Sequence, residues 1–233
     1  MGDVFMNIDK SIWLNIDIAN INVFELAKAI LPQCEYEIRC LNLNEVMYIL
    51  KTKDESLIHK LLVPRFHYVT KEEEDDILNN AWDENKNYDT SPLPYGLYFP
   101  YLSIGDSLRK IPNLKNKSID KLLVSYYTEE DGSCILGKQM LCRMIFIILH
   151  EFGHYVSYKK FHSKKDFALF VHKSKEKYRE YCSSVENGEV SVCNEKQNDL
   201  YRNAADEYEA DHYALENLDL YMNKALLWII KRQ

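Results

Sequence analysis

Glycine and proline are scarce, at 7 and 6 in a chain of 233 residues. That scarcity argues against a glycine-rich sandwich or barrel, whose many reversals call on both residues. Positive charge is also short. Lys and Arg number 29 against 36 Asp and Glu, for a net charge of −7. A general nucleic-acid binder needs a basic surface to neutralise phosphates, so no nucleic-acid partner is expected.

No apolar run is long enough to span a bilayer. The longest surrounds "MIFIIL", Met144 to Leu149, and the later "ALLWIIKRQ" is also too short. The opening "MGDVFMNIDKSIWLNIDIAN" has no basic region leading into an apolar core and a small-residue cleavage site, so no signal peptide is read. Met6 stands where a myristoylation motif carries Ser or Thr. The expectation is a cytoplasmic protein that does not engage a membrane. Six cysteines are present without a CxxC pair, which leaves a zinc ribbon or thioredoxin-like motif unsupported. Reduced thiols are expected, with Cys142 as a small core residue.

Apolar residues make up 46% of the chain, enough for a substantial core, and Tyr is abundant at 17. Residues 21–31 have helical apolar spacing, ended by Pro32. Residues 34–43 roughly alternate and read as a strand, followed by short helices at 44–52 and 55–62. Thr70 with Glu73 three residues later forms a capping box, and the acidic turn after it suits a helix N-terminus. Residues 83–106 hold three prolines with Gly96 and read as a loop or internal boundary packed on the surface. Leu122 to Thr128 is β-branched and aromatic enough for a strand, closed by the turn "EEDGS".

A buried helix is expected from Leu136 to about Lys160. A basic helical continuation follows, whose charges read as a solvated face. Residues 183–199 read as a polar loop. The last stretch, from Leu200, reads as helix with a break near Asn217. Two regions result: residues 1–88, mixed and mostly helical with no assigned role, and residues 89–233, which carry the chemistry below. One continuous domain is the alternative.

That chemistry begins with "ILHEFGHYV", residues 148–156. On a helix, residues four apart share a face, so His150 and His154 can give one imidazole nitrogen each to a single metal ion. Glu151 sits roughly 100° round from His150, beside the pair, where it can reach a metal-bound water. HExxH thus places two ligands and a general base on one helical turn. Gly153, between the histidines, allows another backbone to approach closely. Arg143 lies near the same face, seven residues earlier, and its charge in an apolar run calls for an internal acid as partner.

A catalytic zinc usually takes three protein ligands and keeps one position open. "AADEYEADHYALENL", residues 204–218, offers the third. Glu207 and Asp211 share a helix face, and Ala210 between them permits close approach to the HEFGH helix. Glu207 is assigned as third ligand. Asp211 would accept a hydrogen bond from the free ring nitrogen of one ligand histidine. Glu209 and Asp206 are the rival ligands. His212 would complete a three-histidine site but lacks the glycine and histidine that follow in such proteins. For the second donor to a developing oxyanion, Tyr155, Tyr208, His212 and Tyr213 are the candidates, with no ground for choosing among them.

"HEFGH" followed by "EYEADHYA" resembles the gluzincin-type zinc metallopeptidases, nearest the ImmA/IrrE-like intracellular proteins and the phage-exclusion Lit-like peptidases. The resemblance covers the two ligand-bearing helices. It departs after them, where "LENLDLYM" stands in place of a Leu-Leu-Met-Pro-like segment, and in the long stretch between His154 and Glu207. It implies an α+β, predominantly helical fold: a zincin-like minimal metallopeptidase with a small sheet and an active-site helix. It also implies one Zn²⁺ per chain, held by His150, His154 and Glu207, and a strand before the active helix that pairs with an extended substrate. Leu122 to Thr128 is the candidate for that strand.

The expected function is a zinc-dependent endopeptidase acting on a specific intracellular protein, with Glu151 as general base. By the resemblance, the target would be a repressor or host protein in a mobile-element or stress setting. The competing reading is a catalytically inactive zincin-like regulatory or protein-interaction module. Retention of Glu151 argues against it, because a structural zinc needs no base.

Overall fold

The computed structural model describes residues 10–50, 54, 58, 62–91, 93–111, 114, 117–129 and 131–232. The helices are α1 Lys10–Asn15, α2 Val23–Ile30, α3 Leu43–Leu50, α4 Lys71–Leu78, α5 Ile104–Lys110, α6 Lys117–Tyr127, α7 Leu136–Tyr158, α8 Lys164–Ser174, α9 Glu176–Glu186, α10 Asn194–Arg202 and α11 Ala205–Ile230. The strands are β1 Ile38–Leu41, β2 Arg65–His67 and β3 Gly96–Pro100, and a 3₁₀ turn covers Ile18–Asn20. The fold is α+β and predominantly helical. The helix expected at 55–62 falls mostly outside the described residues, as does the opening of the chain through Asp9.

The sheet order is β1-β3-β2. β1 runs parallel to β3 and β2 antiparallel to it. Its strands come from both sides of residue 88, so the sheet belongs to neither sequence region alone. Leu97 donates its N–H to Glu37 O at 3.0 Å, on the β1 side. Its partner across β2, Phe66, therefore turns its own N–H off the outer edge of the sheet. That amide matters below.

α7 and α11 form the centre of the molecule. α7 buries a nearly unbroken run from Leu141 to His150, each large apolar side chain there contributing about 1.5–3 kcal/mol. α11 lays Ala210, Ala214, Leu218, Tyr221, Ala225, Leu226 and Ile229 on the same core. The crossing point is Gly153 against Ala210. A Cβ on Gly153 would lie 2.9 Å from the Ala210 Cα and 3.0 Å from its carbonyl oxygen.

Local signals hold where they are strongest. Thr70 and Glu73 cap α4 reciprocally. Arg143 pairs with Asp120 at 2.7 Å. All six cysteines are free thiols, Cys142 buried among them. Among the described residues, no helix is long and apolar enough to cross a membrane.

Several expectations are corrected. Leu122 to Tyr127 is not a strand but the C-terminal part of α6, and Thr128, just past its end, forms an isolated bridge with Cys134. The helical stripe is Ile119, Leu123 and Tyr127, all buried, while Leu122 and Val124 point outward; a window starting at Leu122 hides that period. The stretch 83–106 contains β3, a five-residue central strand buried at every position. The stretch 183–199 carries the end of α9 and the start of α10. The last helix runs unbroken past Asn217, whose side-chain amide donates to Tyr213 O at 2.8 Å. The break lies instead at Asn203–Ala204, between α10 and α11. The basic segment is not simply a solvated face. Lys159, Lys160 and Lys164 pair with Glu35, Glu209 and Glu73, and Lys175 reaches two buried acids.

Candidate metal centre

The three expected ligands converge. His150 and His154 come from α7, and Glu207 from the first turn of α11. His150 Nε2 lies 3.2 Å from His154 Nε2 and 3.3 Å from Glu207 Oε2. His154 Nε2 lies 3.8 Å from Glu207 Oε1. One ligand atom from each residue falls within 4.8 Å of the other two. Two ligands on a tetrahedral ion at about 2.0–2.1 Å are themselves about 3.3 Å apart. The group could hold a metal ion.

Asp211 Oδ1 lies 2.8 Å from His150 Nδ1, the contact expected of it. Held there, Nδ1 carries a proton and Nε2 turns towards His154 and Glu207. The same oxygen accepts from Arg202 Nη1 at 2.8 Å. Glu207 is 1% exposed, and its Oε2 is buried without a hydrogen-bond partner. A carboxylate oxygen so placed costs free energy unless a cation or donor meets it. This orphaned atom, 3.3 Å from His150 Nε2, is the observation that fits the residues to a cation.

The electrostatics agree. Burial opposes charge on His150, but the Asp211 and Glu207 carboxylates outweigh it and raise its pKa to about 10. Burial, then the neighbouring His150, pushes His154 down to about 3. Burial also opposes the Glu207 carboxylate, but the two histidines hold its pKa well below the usual range. Three electron-rich atoms meet in a closed space, and they can be reconciled by a proton on His150 or by a metal cation among them.

Glu151 lies beside the group, with Oε2 accepting the outward Phe66 N–H of β2 at 3.0 Å. Burial is the main cause of its pKa rising to about 7; His150 opposes the rise and Glu207 adds to it. His150, Glu151 and Glu207 line a cavity of about 930 Å³. One wall is apolar, with Leu114, Ile119, Phe146 and Ile147, and α10 forms another with Asn194, Gln197 and Asn198.

The rival ligands point elsewhere. Glu209 accepts from Ser157 Oγ at 2.6 Å and from Lys160 at 2.9 Å. Asp206 is held by Ser174 and Lys175. His212 is exposed and pairs with Glu216 at 3.0 Å.

None of the four oxyanion candidates lines the cavity. Tyr155 packs with Tyr36, Phe66 and Phe152. Tyr208 is exposed and stacks on His212. Tyr213 packs on Phe152. The reason is helical phase: with Glu207 and Asp211 facing α7, their sequence neighbours turn aside.

Sequence reading missed Tyr201, Arg202, Lys175 and the Phe66 amide. Tyr201 and Arg202 line the cavity, and burial, then the Glu207 charge, raises the Tyr201 phenol. Their approach depends on the Asn203–Ala204 break, which no glycine or proline signals. No family model, curated protein or solved structure matches the chain.

Proposed function

We propose that the protein is a zinc-dependent endopeptidase. The observation that carries this reading is the buried Glu207 carboxylate against the paired Nε2 atoms of His150 and His154, its Oε2 orphaned 3.3 Å from His150 Nε2, with the Glu151 carboxylate beside them on a cavity wall. Two imidazoles and one carboxylate are a donor set suited to zinc, and three protein ligands are what a hydrolytic site uses. Zinc bound there would supply a polarised carbonyl and a water of lowered pKa.

The chain's own residues supply the rest. Glu151 has Oε2 tied to the Phe66 amide, which leaves Oε1 to take a proton from the attacking water and return it to the leaving amine. Asp211 fixes the ring of His150. Tyr201, on the cavity wall with its hydroxyl against Glu207, is the donor proposed for the developing oxyanion. The open cavity and its amide-bearing wall suit an extended peptide, so the substrate is a protein or peptide.

The test is metal analysis of the purified protein beside His150→Ala, Glu207→Ala, Glu209→Ala and Glu151→Gln. About one zinc per chain is expected in the wild type. His150→Ala and Glu207→Ala should lose it, while Glu209→Ala and Glu151→Gln keep it. A wild type without tight zinc binding would falsify the reading. Hydrolysis of protein substrates that persists in Glu151→Gln would sink the base assignment. Zinc binding without hydrolysis in any preparation would favour a regulatory module.

A further inference from the structure

Lys175 stands at the joint between α8 and α9. Its Nζ lies 2.8 Å from Asp206 Oδ2 and 2.8 Å from Glu207 Oε1. Its ammonium also lies over the Tyr201 ring, 5.1 Å from the centre. Ser174, the residue before it, donates to the other Asp206 oxygen. The side chains of the two acids are 2% and 1% exposed. The joint is thus fastened to the first turn of α11 at the metal-facing carboxylate.

The two oxygens of Glu207 are treated differently. Oε1 is taken by Lys175 at 2.8 Å and stands farther from the imidazoles, 3.8 Å from His154 Nε2; Oε2 is buried without a hydrogen-bond partner and lies 3.3 Å from His150 Nε2. A carboxylate with both oxygens unengaged can bind a cation through one or through both. A second oxygen on the ion would fill the position that a hydrolytic site keeps for water. An ammonium on one oxygen also draws electron density from the carboxylate, so the ion is less satisfied by its protein ligands.

We propose that Lys175 is a positioning residue: by holding Glu207 Oε1 it makes Glu207 a one-oxygen ligand through Oε2 and keeps the remaining coordination position open. The inference rests on the metal-site reading above. A lysine that merely stapled α8 to α11 would need only Asp206. The contact to the second oxygen of a ligand is what the staple does not explain.

The experiment is the visible spectrum of the cobalt(II)-loaded protein, because cobalt absorbs strongly in four-coordinate sites and weakly when a fifth ligand joins. Wild type should give the strong band. Lys175→Met should give a weakened, shifted band with zinc affinity no lower than wild type. Lys175→Arg, which keeps a cation on the carboxylate, should restore the strong band. Asp206→Asn, which loosens the staple and leaves Lys175 on Glu207, should keep it too.

A Lys175→Met protein with the wild-type spectrum overturns the proposal. So does an unchanged spectrum accompanied by a zinc affinity about tenfold or more weaker, the mark of a structural role. Should Lys175→Met not fold, the double variant Lys175→Leu with Asp206→Asn replaces it, since it removes the donor from Glu207 without leaving a buried charge on Asp206 unpaired. A weakened, shifted band there supports the proposal, and a wild-type band overturns it. Failure of the wild type to take up cobalt or zinc is a separate result, and it overturns the metal site itself.

Discussion

Gly153 and Ala210 meet backbone to backbone, and a methyl group on Gly153 would stand 2.9 Å from the Ala210 Cα. The contact sets how closely the two helices that carry the candidate ligands approach, because Gly153 lies between His150 and His154, and Ala210 between Glu207 and Asp211. Gly153→Ala must push α11 away. It should cost about 1–3 kcal/mol in denaturant unfolding and weaken metal binding together with stability. Full metal affinity in Gly153→Ala would show that the close approach is not needed.

Asp211 accepts from both His150 and Arg202 through one oxygen. Asp211→Asn keeps the size and removes the charge. Zinc affinity should fall about 10–100-fold, read by competition with a chelating dye. An unchanged constant would separate Asp211 from the site.

Glu73 gives a pH dependence away from the candidate metal site. It is 3% exposed. Burial opposes its charge, but Tyr95, Lys164 and the Thr70 cap outweigh that and hold its pKa below the usual range. A depressed carboxylate stabilises the fold above its unfolded pKa of about 4.3. That stability is lost as pH falls through the folded value. Glu73→Gln should therefore flatten the acid limb of the stability profile. At neutral pH it should cost about 1–3 kcal/mol, because Lys164 loses its charged partner. An acid limb as steep as wild type would refute the assignment.

Leu123 and Val124 test the nature of α6. Leu123 is fully buried and Val124 is 50% exposed. Leu123→Ala should cost about 2–5 kcal/mol, while Val124→Ala should stay within about 0.5 kcal/mol. Equal costs at the two positions would contradict the helix.

Much of the site was legible in the sequence because its parts are local. His150, Glu151 and His154 occupy one turn, and Glu207 and Asp211 another. Helical phase alone puts each set on one face, and Gly153 with Ala210 announces that the faces can meet. Thr70 and Glu73 were legible for the same reason. Contacts between remote segments were not. Lys175 reads as one cation among many, and only the turn between α8 and α9 brings it to Glu207. β3 reads as loop because Gly96 and its prolines punctuate it; its extended form comes from β1 and β2 on either side. In α6, a local run of Val, Ser and Tyr masks a stripe that begins at Ile119.

The Phe66 amide has a consequence for how the sheet edge and Glu151 communicate. It projects from the free edge of the sheet, and it donates to Glu151. One N–H serves one strong acceptor at a time. An extended chain that adds to β2 at this residue must take that donor from Glu151. A strand added there would leave the buried Glu151 carboxylate without that donor. Edge occupancy and the hydrogen bonding of Glu151 become two readings of a single equilibrium.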